Sequence, residues 1–321
     1  MPLGEFDLIR QFFTRRPTRA VLGVGDDCAL LSPTPGYQWA VSTDLLVKGR
    51  HFLSTVPPQR LGHKSLAVNL SDLAACGANP VAFTLSLSLP RVDEPWLQGF
   101  SKGLLALADR SGIELVGGDT TAGPLTVGIT VMGEVPPGQA LLRSGACAGD
   151  RLWVSGSLGD ARLALEVFRG TVALPAAAFE RVRLRMEQPE ARVSLGQALR
   201  GIASSAIDVS DGFVGDLGHV LAASGVGAQV DWTRMPCSAD LMTQPESVRR
   251  VCALSGGDDY ELLFTAPPGS DLAVQRAAST AGVQVTPVGV IVPTPGLTVH
   301  DAEGRPLDLV AHAGFDHFAP P

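Results

Sequence analysis

Apolar residues along the chain recur with two alternating periods, and that alternation already describes strands interleaved with helices. Phe6, Ile9 and Phe13 stand at helical spacing and predict an opening amphipathic helix. A turn, Gly23-Val24-Gly25-Asp26-Asp27, leads into the short apolar run Cys28–Leu31. Residues 38–43 (QWAVST) read as a strand that ends at Asp44. From Leu61 to Cys76 small and apolar residues recur at helical spacing, which predicts a buried helix stopped by Gly77. Pro80–Leu89 (PVAFTLSLSL) alternates with period two and reads as a half-buried strand. A helix over 94–111 follows, then a strand over 113–116 that ends in Gly117-Gly118-Asp119-Thr120-Thr121, and a further strand over 125–135.

Pro136-Pro137-Gly138 is a sharp breaker and divides the chain into domains at 1–138 and 139–321. Beyond it, RLWVSG reads as a strand, with helices near 159–168, 176–187 and 191–202. Ala206–Val209 is a short strand and Asp211–Ser224 a helix. Strands near 228–231, 260–265 and 283–292 complete the half, with a helix after Pro268. The two GDD tripeptides, GDDCALL at 25–31 and GDDYELL at 257–263, look alike while nothing around them repeats, so they read as one turn type used twice.

Composition narrows the function classes. The net charge of −7, with only three lysines and no long basic run, argues against a general nucleic-acid binder. No stretch approaches the roughly 18 uninterrupted apolar residues of a membrane span, and MPLGEFDLIRQFF lacks a secretory-signal layout. Five cysteines without CxxC spacing indicate neither a disulfide framework nor a zinc site, so a reduced cytoplasmic setting is expected. The acids are less ordinary. Six of 21 Asp directly follow glycine (26, 119, 150, 160, 216 and 258), against about 2.4 from chance placement.

The familiar nucleotide signals are missing. No glycine precedes any lysine, so a P-loop is excluded, and Gly23-Val24-Gly25 lacks the third glycine of a dinucleotide fingerprint. No GxSxG elbow and no HExxH helix occurs. If this chain handles phosphates, it does so through metal ions. Asp26-Asp27, Asp44, Asp72, Asp119, Asp208 and Asp211 supply hard oxygens spread over loops, strands and helices, the donor set that Mg²⁺ takes when it also keeps waters and substrate phosphates. A single Gly-Asp pair is more often a turn or helix-cap residue, and Asp150 and Asp160 read that way.

Eight blocks together carry a resemblance. GVGDDCALL at 23–31, STDLLVKGRHF at 42–52, AVNLSDLAACGANP at 67–80 and LVGGDTTAGPL at 115–125 resemble the thiamine-monophosphate kinases. So do RSGACAGD at 143–150, SAIDVSDGFVGDLGH at 205–219, SGGDDYELLF at 255–264 and GFDHF at 314–318. They run in family order over essentially the whole chain.

The resemblance implies ATP-dependent phosphorylation of thiamine monophosphate to thiamine diphosphate. It implies an α/β (α+β) aminoimidazole-ribonucleotide-synthetase-like fold of two domains. The first carries a mixed sheet with helices and pairs across a homodimer; the second is α/β and completes the active site. Several Mg²⁺ ions would be held by Asp27, Thr43, Asp44, Asp72, Asp119, Asp208 and Asp211, with Ser42 adjacent. ATP contacts map onto Gly118, Arg143 and Ser210, and substrate contacts onto His51, Asp258 and Phe315. No protein nucleophile or general base is expected, because the acceptor phosphate is already anionic near neutral pH. Asp258 stands where the family usually has Glu, Phe315 where Trp or Tyr is common, and Lys48 where an acid is frequent. Rival readings are another ATP-dependent enzyme of the same superfamily, a cyclo-ligase or a selenophosphate synthetase, or a non-catalytic nucleotide- or thiamine-binding protein. Residues 1–22 hold no cysteine, which counts against the selenophosphate synthetase.

Overall fold

The computed structural model of the protein describes residues 4–309. Two units divide the chain: one lies within Met1–Leu73 and Ala78–Gly138, the other within Ala74–Gly77 and Gln139–Pro321.

The first unit runs α1 (Glu5–Phe12), β1 (Gln38–Val47), α2 (Pro58–Ala75, its last turn counted with the second unit), β2 (Asn79–Leu89), α3 (Glu94–Ser111), β3 (Glu114–Ala122) and β4 (Thr126–Val135). Its sheet has the order β1-β4-β2-β3. Strand β4 is antiparallel to both neighbours while β2 and β3 run parallel, so the sheet is mixed. The parallel pair needs a crossover, and α3 provides it. Helix α3 carries its own boundaries: Asp93 accepts the Trp96 amide at 3.1 Å, Pro95 sits in the first turn, and Gly112 ends the helix at φ 63°. Helix α2 has no polar stripe because residues 61–71 are buried all round, Ser65 and Asn69 included. It lies so close to α3 that a Cβ at Gly62 would come 2.0 Å from the Phe100 carbonyl oxygen, and one at Gly103 1.8 Å from that of Gln59.

The second unit runs β5 (Arg151–Ser155), α4 (Asp160–Phe168), α5 (Ala176–Glu187), α6 (Val193–Ala198), β6 (Ser205–Asp208), α7 (Phe213–Ser224) and β7 (Gly227–Asp231). Then come α8 (Ala239–Met242), α9 (Glu246–Ser255), β8 (Leu262–Ala266), α10 (Asp271–Ala281), β9 (Val285–Val292) and β10 (Gly296–His300). The six strands are ordered β10-β7-β9-β5-β8-β6, with only β10 and β7 parallel. Trp153 and Phe264 stack at 6.3 Å in its core, beside Leu195, Leu199 and Val274. A mixed sheet with helices, followed by an α/β unit, is the expected fold class.

Several element ends differ from the sequence reading. Strand β1 continues to Val47, so Asp44 lies inside the strand. Strand β3 runs on through Gly117–Ala122, because its parallel pairing with Leu85–Leu89 supplies backbone partners that outweigh the weak strand preference of two glycines. Asp119 is therefore a strand residue. Helix α7 starts at Phe213 and not at Asp211, and the amides of residues 210–212 that precede it are taken by the side chain of Asp216 in its first turn. The helix expected over 191–202 is only Val193–Ala198, and α8, α9 and β10 had not been anticipated.

Candidate active site

In the first unit, strand alternation decides which side chains meet. Ser42 and Asp44 share the half-buried face of β1, whereas Thr43 lies on the exposed face with Trp39, Val41 and Leu45. The inner face meets α2. Ser42 Oγ donates to Asp72 Oδ2 at 2.6 Å, and the Asp44 amide donates to Asn69 Oδ1 at 3.1 Å. Asn69 is itself fixed, donating through Nδ2 to the Ser65 carbonyl at 3.0 Å. Asn69 and Asp72 are three residues apart, one helical face. The Thr43 hydroxyl donates instead to the Ile129 carbonyl at 3.0 Å, so it does not join the acids.

Beyond β1 the chain turns back at Val47–Phe52. There His51 Nδ1 accepts the Val47 amide at 3.0 Å, which leaves the proton of the neutral ring on Nε2. On β3, Gly118 has φ 145°, and a Cβ there would lie 1.9 Å from the Leu85 carbonyl oxygen, so only glycine fits before Asp119. Asp119 is exposed beside Ser86 of β2. Asp27 stands exposed at the tip of a strap, residues 18–34, folded back on itself by Leu22 and Leu30, and its amide donates to Asp26 Oδ1 at 2.8 Å.

The second unit gathers its acids at strand ends. Asp208 is buried at the end of β6. Past it the chain stays tied to the approach to β8: Val209 N donates to Glu261 O, Tyr260 N to Val209 O and Asp258 N to Ser210 O, each at 2.8 Å. The loop after β6 and the loop before β8 are thus one hydrogen-bonded ribbon. Asp258 and Tyr260 hold φ of 69° and 53°, strained values for residues with side chains, and Tyr260 Oη donates to Asp258 Oδ1 at 3.0 Å. Below the ribbon, Asp216 Oδ2 accepts the amides of Ser210, Asp211 and Gly212 at 3.1, 3.1 and 3.0 Å. Burial pushes the Asp216 carboxyl up to about 7 against the pull of those amides, with the neighbouring Asp211 adding to the rise. Arg143 is exposed next to the segment whose Leu142 carbonyl accepts the Ala206 amide of β6. Phe315 lies outside the described residues.

The ribbon is anchored by a group that sequence reasoning missed. Glu261, fully buried, accepts from Ser155 Oγ at 2.6 Å, from Arg185 Nη2 at 2.6 Å, and from Arg192 Nε and Nη2 at 2.6 and 2.5 Å. Asp259 is also buried and accepts the Gly159 amide at the start of α4 at 2.8 Å; burial, with Asp160 and Glu261 nearby, lifts its carboxyl well above the usual range. Asn69 was missed as well; its only signal was spacing, three residues before Asp72. Asp216, which follows a glycine, reads as a turn or helix-start residue, and its bonds to the amides of residues 210–212 bear that out.

Among the described residues no three His, Cys, Asp or Glu side chains come together as a ready-made metal cage. That does not argue against Mg²⁺, which binds through one or two carboxylates and completes its shell with waters and substrate phosphates. Ser42, Asp44 and Asp72 fit such a site: hard oxygens only, two of them already within 2.6 Å. The two GDD tripeptides do not share a turn. Gly25 carries the positive φ in the first, Asp258 in the second.

Comparison with known proteins places the family and the fold. Residues 25–135 match AIR synthase related protein, N-terminal domain, and residues 148–302 its C-terminal domain. The chain is 44% identical over 328 residues to thiamine-monophosphate kinase of Salmonella typhimurium, covering all of both chains. Its fold is similar to the crystal structure of thiamine-monophosphate kinase from Stenotrophomonas maltophilia, with a TM-score of 0.84, 45% identity, and coverage of 90% of this chain and 92% of that one. It is also similar to AaThiL complexed with AMPPCP and TMP, with a TM-score of 0.77, 27% identity and coverage of 89% of each chain.

Proposed function

The chain belongs to the thiamine-monophosphate kinase family, and we propose that it moves the terminal phosphoryl group of ATP directly, in line, onto the phosphate of thiamine monophosphate. The product is thiamine diphosphate. The AaThiL structure, holding AMPPCP and TMP together, supports a reaction without a protein-bound intermediate. The observation that carries the mechanism is the meeting of Ser42 and Asp72 oxygens at 2.6 Å beside Asp44.

Both substrates are polyanions, and their mutual repulsion is the barrier to be lowered. Mg²⁺, when bound, would supply positive charge to offset their phosphates. In the first unit Asp27, Ser42, Asp44, Asp72 and Asp119 would hold such ions, the Thr43 hydroxyl being turned to the Ile129 carbonyl instead, and in the second unit Asp208 and Asp211 would do so. The rest of the work is positioning. Gly118 lets the backbone come close to the nucleotide, Ser210 offers a hydroxyl, and Arg143 offers a fork of donors to triphosphate oxygens. His51 would present Nε2–H to the substrate, Asp258 would face it with its carboxylate oriented by Tyr260, and Phe315 would stack on its ring.

The domain roles follow. Residues 1–138 would bind metal and ATP and form the dimer contact, and residues 139–321 would complete the machinery. A homodimer is supported by edge strand β1, which exposes Trp39, Val41 and Leu45 on one face. Nucleic acid and membrane are not expected partners: the net charge is −7, and no helix among the described residues is long and apolar enough to cross a bilayer. We place the enzyme in the cytoplasm.

The test is direct. Purified protein, incubated with ATP and thiamine monophosphate over a Mg²⁺ titration, should yield thiamine diphosphate on chromatographic separation. No product at any Mg²⁺ concentration overturns the reading.

A further inference from the structure

The strap that carries Asp27 has no regular helix or strand of its own, yet it is held at both feet by carboxylates of the sheet. At its first foot, Glu114 of β3 accepts the amides of Thr18 at 2.7 Å, Arg19 at 2.8 Å and Ala20 at 3.0 Å, and also the Thr18 hydroxyl. At its second foot, Glu134 of β4, itself buried, accepts the Thr34 amide at 2.8 Å and the Thr34 hydroxyl at 2.6 Å. Arg19 joins the feet: its amide binds Glu114, while its guanidinium binds Glu134 at 2.7 Å and the Pro80 carbonyl at 3.3 Å. Between them Ala29 and Leu31 pack on Ala20, Val81, Ala82 and Val116, and Asp26-Asp27 project from the far end.

Placing carboxylates here is costly unless they are fully bonded, and both are. Burial alone would raise their protonation range. The Thr18 hydroxyl and the amides of 18–20 on Glu114, and Thr34 and Arg19 on Glu134, outweigh it and hold both acids below the usual glutamate range. The strap is therefore ordered before any ligand arrives, and ligand binding does not have to order it.

We propose that Glu114 and Glu134 are a two-point clamp that positions Asp27, so that affinity for the metal–nucleotide complex depends on two carboxylates remote from the strap tip. This rests on the reading of Asp27 as a metal ligand. Glu114 and Glu134 are positioning residues and take no part in the transfer itself. Arg19→Ala should act like Glu134→Gln, because each removes the same ion pair and leaves an acceptor for Thr34.

Three measurements on the full chain test it. Hydrogen exchange on ligand-free protein should quicken in Glu114→Gln and Glu134→Gln at residues 18–34 and stay unchanged in β2 and β4. The Mg²⁺ concentration for half-maximal activity should rise about tenfold, a size common for residues that share partners, while kcat at saturating Mg²⁺ stays within about twofold. In calorimetry with Mg-ATP, Glu134→Gln should cost affinity in the wild-type background and almost none in Asp27→Ala, since its effect runs through Asp27. Glu134→Ala should exceed Glu134→Gln in every readout; if it does not fold, the Gln and Arg19→Ala variants carry the test. Equal costs in both backgrounds, unchanged exchange in the strap, or a fall in kcat with the Mg²⁺ requirement unaltered would each overturn the clamp. An inactive wild-type chain would overturn the kinase reading beneath it, while an active wild type with wild-type-like variants overturns the clamp alone.

Discussion

Gly25-Asp26-Asp27 and Gly257-Asp258-Asp259 are the same three letters put to opposite uses. In the first, glycine takes the positive φ of 123°, both acids are exposed, and the turn hangs from a strap bonded to carboxylates of the sheet at its feet and packed on it through Ala29 and Leu31. In the second, Asp258 itself is bent to a φ of 69°, Asp259 is buried against the start of α4, and the turn is bonded to Val209 and Ser210. What differs is the backing. A tripeptide in front of two remote carboxylates can project an acid into solvent. The same tripeptide in front of a buried acid–arginine network can hold a strained backbone, because the network over-determines it. The first region would be reorganised by losing a hydrogen bond; the second would be reorganised only by losing its charge balance.

The sharpest way to break that contrast is Glu261. Replacing it with Ala removes the shared, fully buried partner of Arg185, Arg192 and Ser155 and leaves half-buried guanidinium groups without that counter-charge. Breaking one side of a buried network of this kind costs about 3–5 kcal/mol. Urea denaturation should show that loss for Glu261→Ala, and a much smaller one for Glu114→Ala, whose site is half-exposed. Equal losses would mean that the two turns are backed equally.

Next in size is Asp72. Asp72→Asn keeps an oxygen for the Ser42 hydroxyl but loses the charge that a metal ion needs. Turnover should fall by about two to three orders of magnitude, in keeping with metal-assisted charge stabilisation worth several kcal/mol. The thermal midpoint of the ligand-free protein should stay near wild type. A large drop in that midpoint with turnover retained would make Asp72 a structural partner of β1 and not a ligand.

The contrast also explains what could be read from the chain. Helix α3 was legible to its ends, because an N-cap, an early proline and a terminal glycine mark it in the letters themselves. Strands β2 and β4 were legible because their alternation is strong. The acids on regular elements, Asp44 and Asp72, were found as candidates, though their meeting through Ser42 depends on how β1 packs on α2. The start of α7 was not legible, since Asp216 binds amides that precede the helix and delays it by a turn's worth of backbone bonds. Nor was the difference between the two GDD turns, because the backbone at Asp258 is held by pairing with Ser210 and by the anchoring of Glu261 on Ser155, Arg185 and Arg192, partners far away in sequence. Glu114 and Glu134 were invisible for the same reason: each binds a segment about a hundred residues earlier.

The smallest effect needs no loss of stability to observe, because each turn has a cysteine at hand. Cys28 follows Asp27 directly and is exposed; Cys252 sits at the end of α9 under the second turn and is buried. Burial pushes the Cys252 thiol up to about 12, with the facing Arg162 only partly offsetting it, and Cys237 up to about 11. Thiolate is the reactive form, so at about pH 8 roughly one Cys252 in ten thousand is ionised even where reagent can reach it. Alkylation of the native protein, read by peptide mass spectrometry, should label Cys28 in minutes and leave Cys252 and Cys237 unmodified. Raising the pH toward the value of the buried Cys252 thiol should increase its labelling only as fast as the second unit opens, because access and not ionisation then limits it. In Glu134→Gln, Cys28 should label still faster and Cys252 at its old rate. Early labelling of Cys252 at about pH 8 in the wild type would show that the second turn is as loosely held as the first, and the distinction between the two would fall.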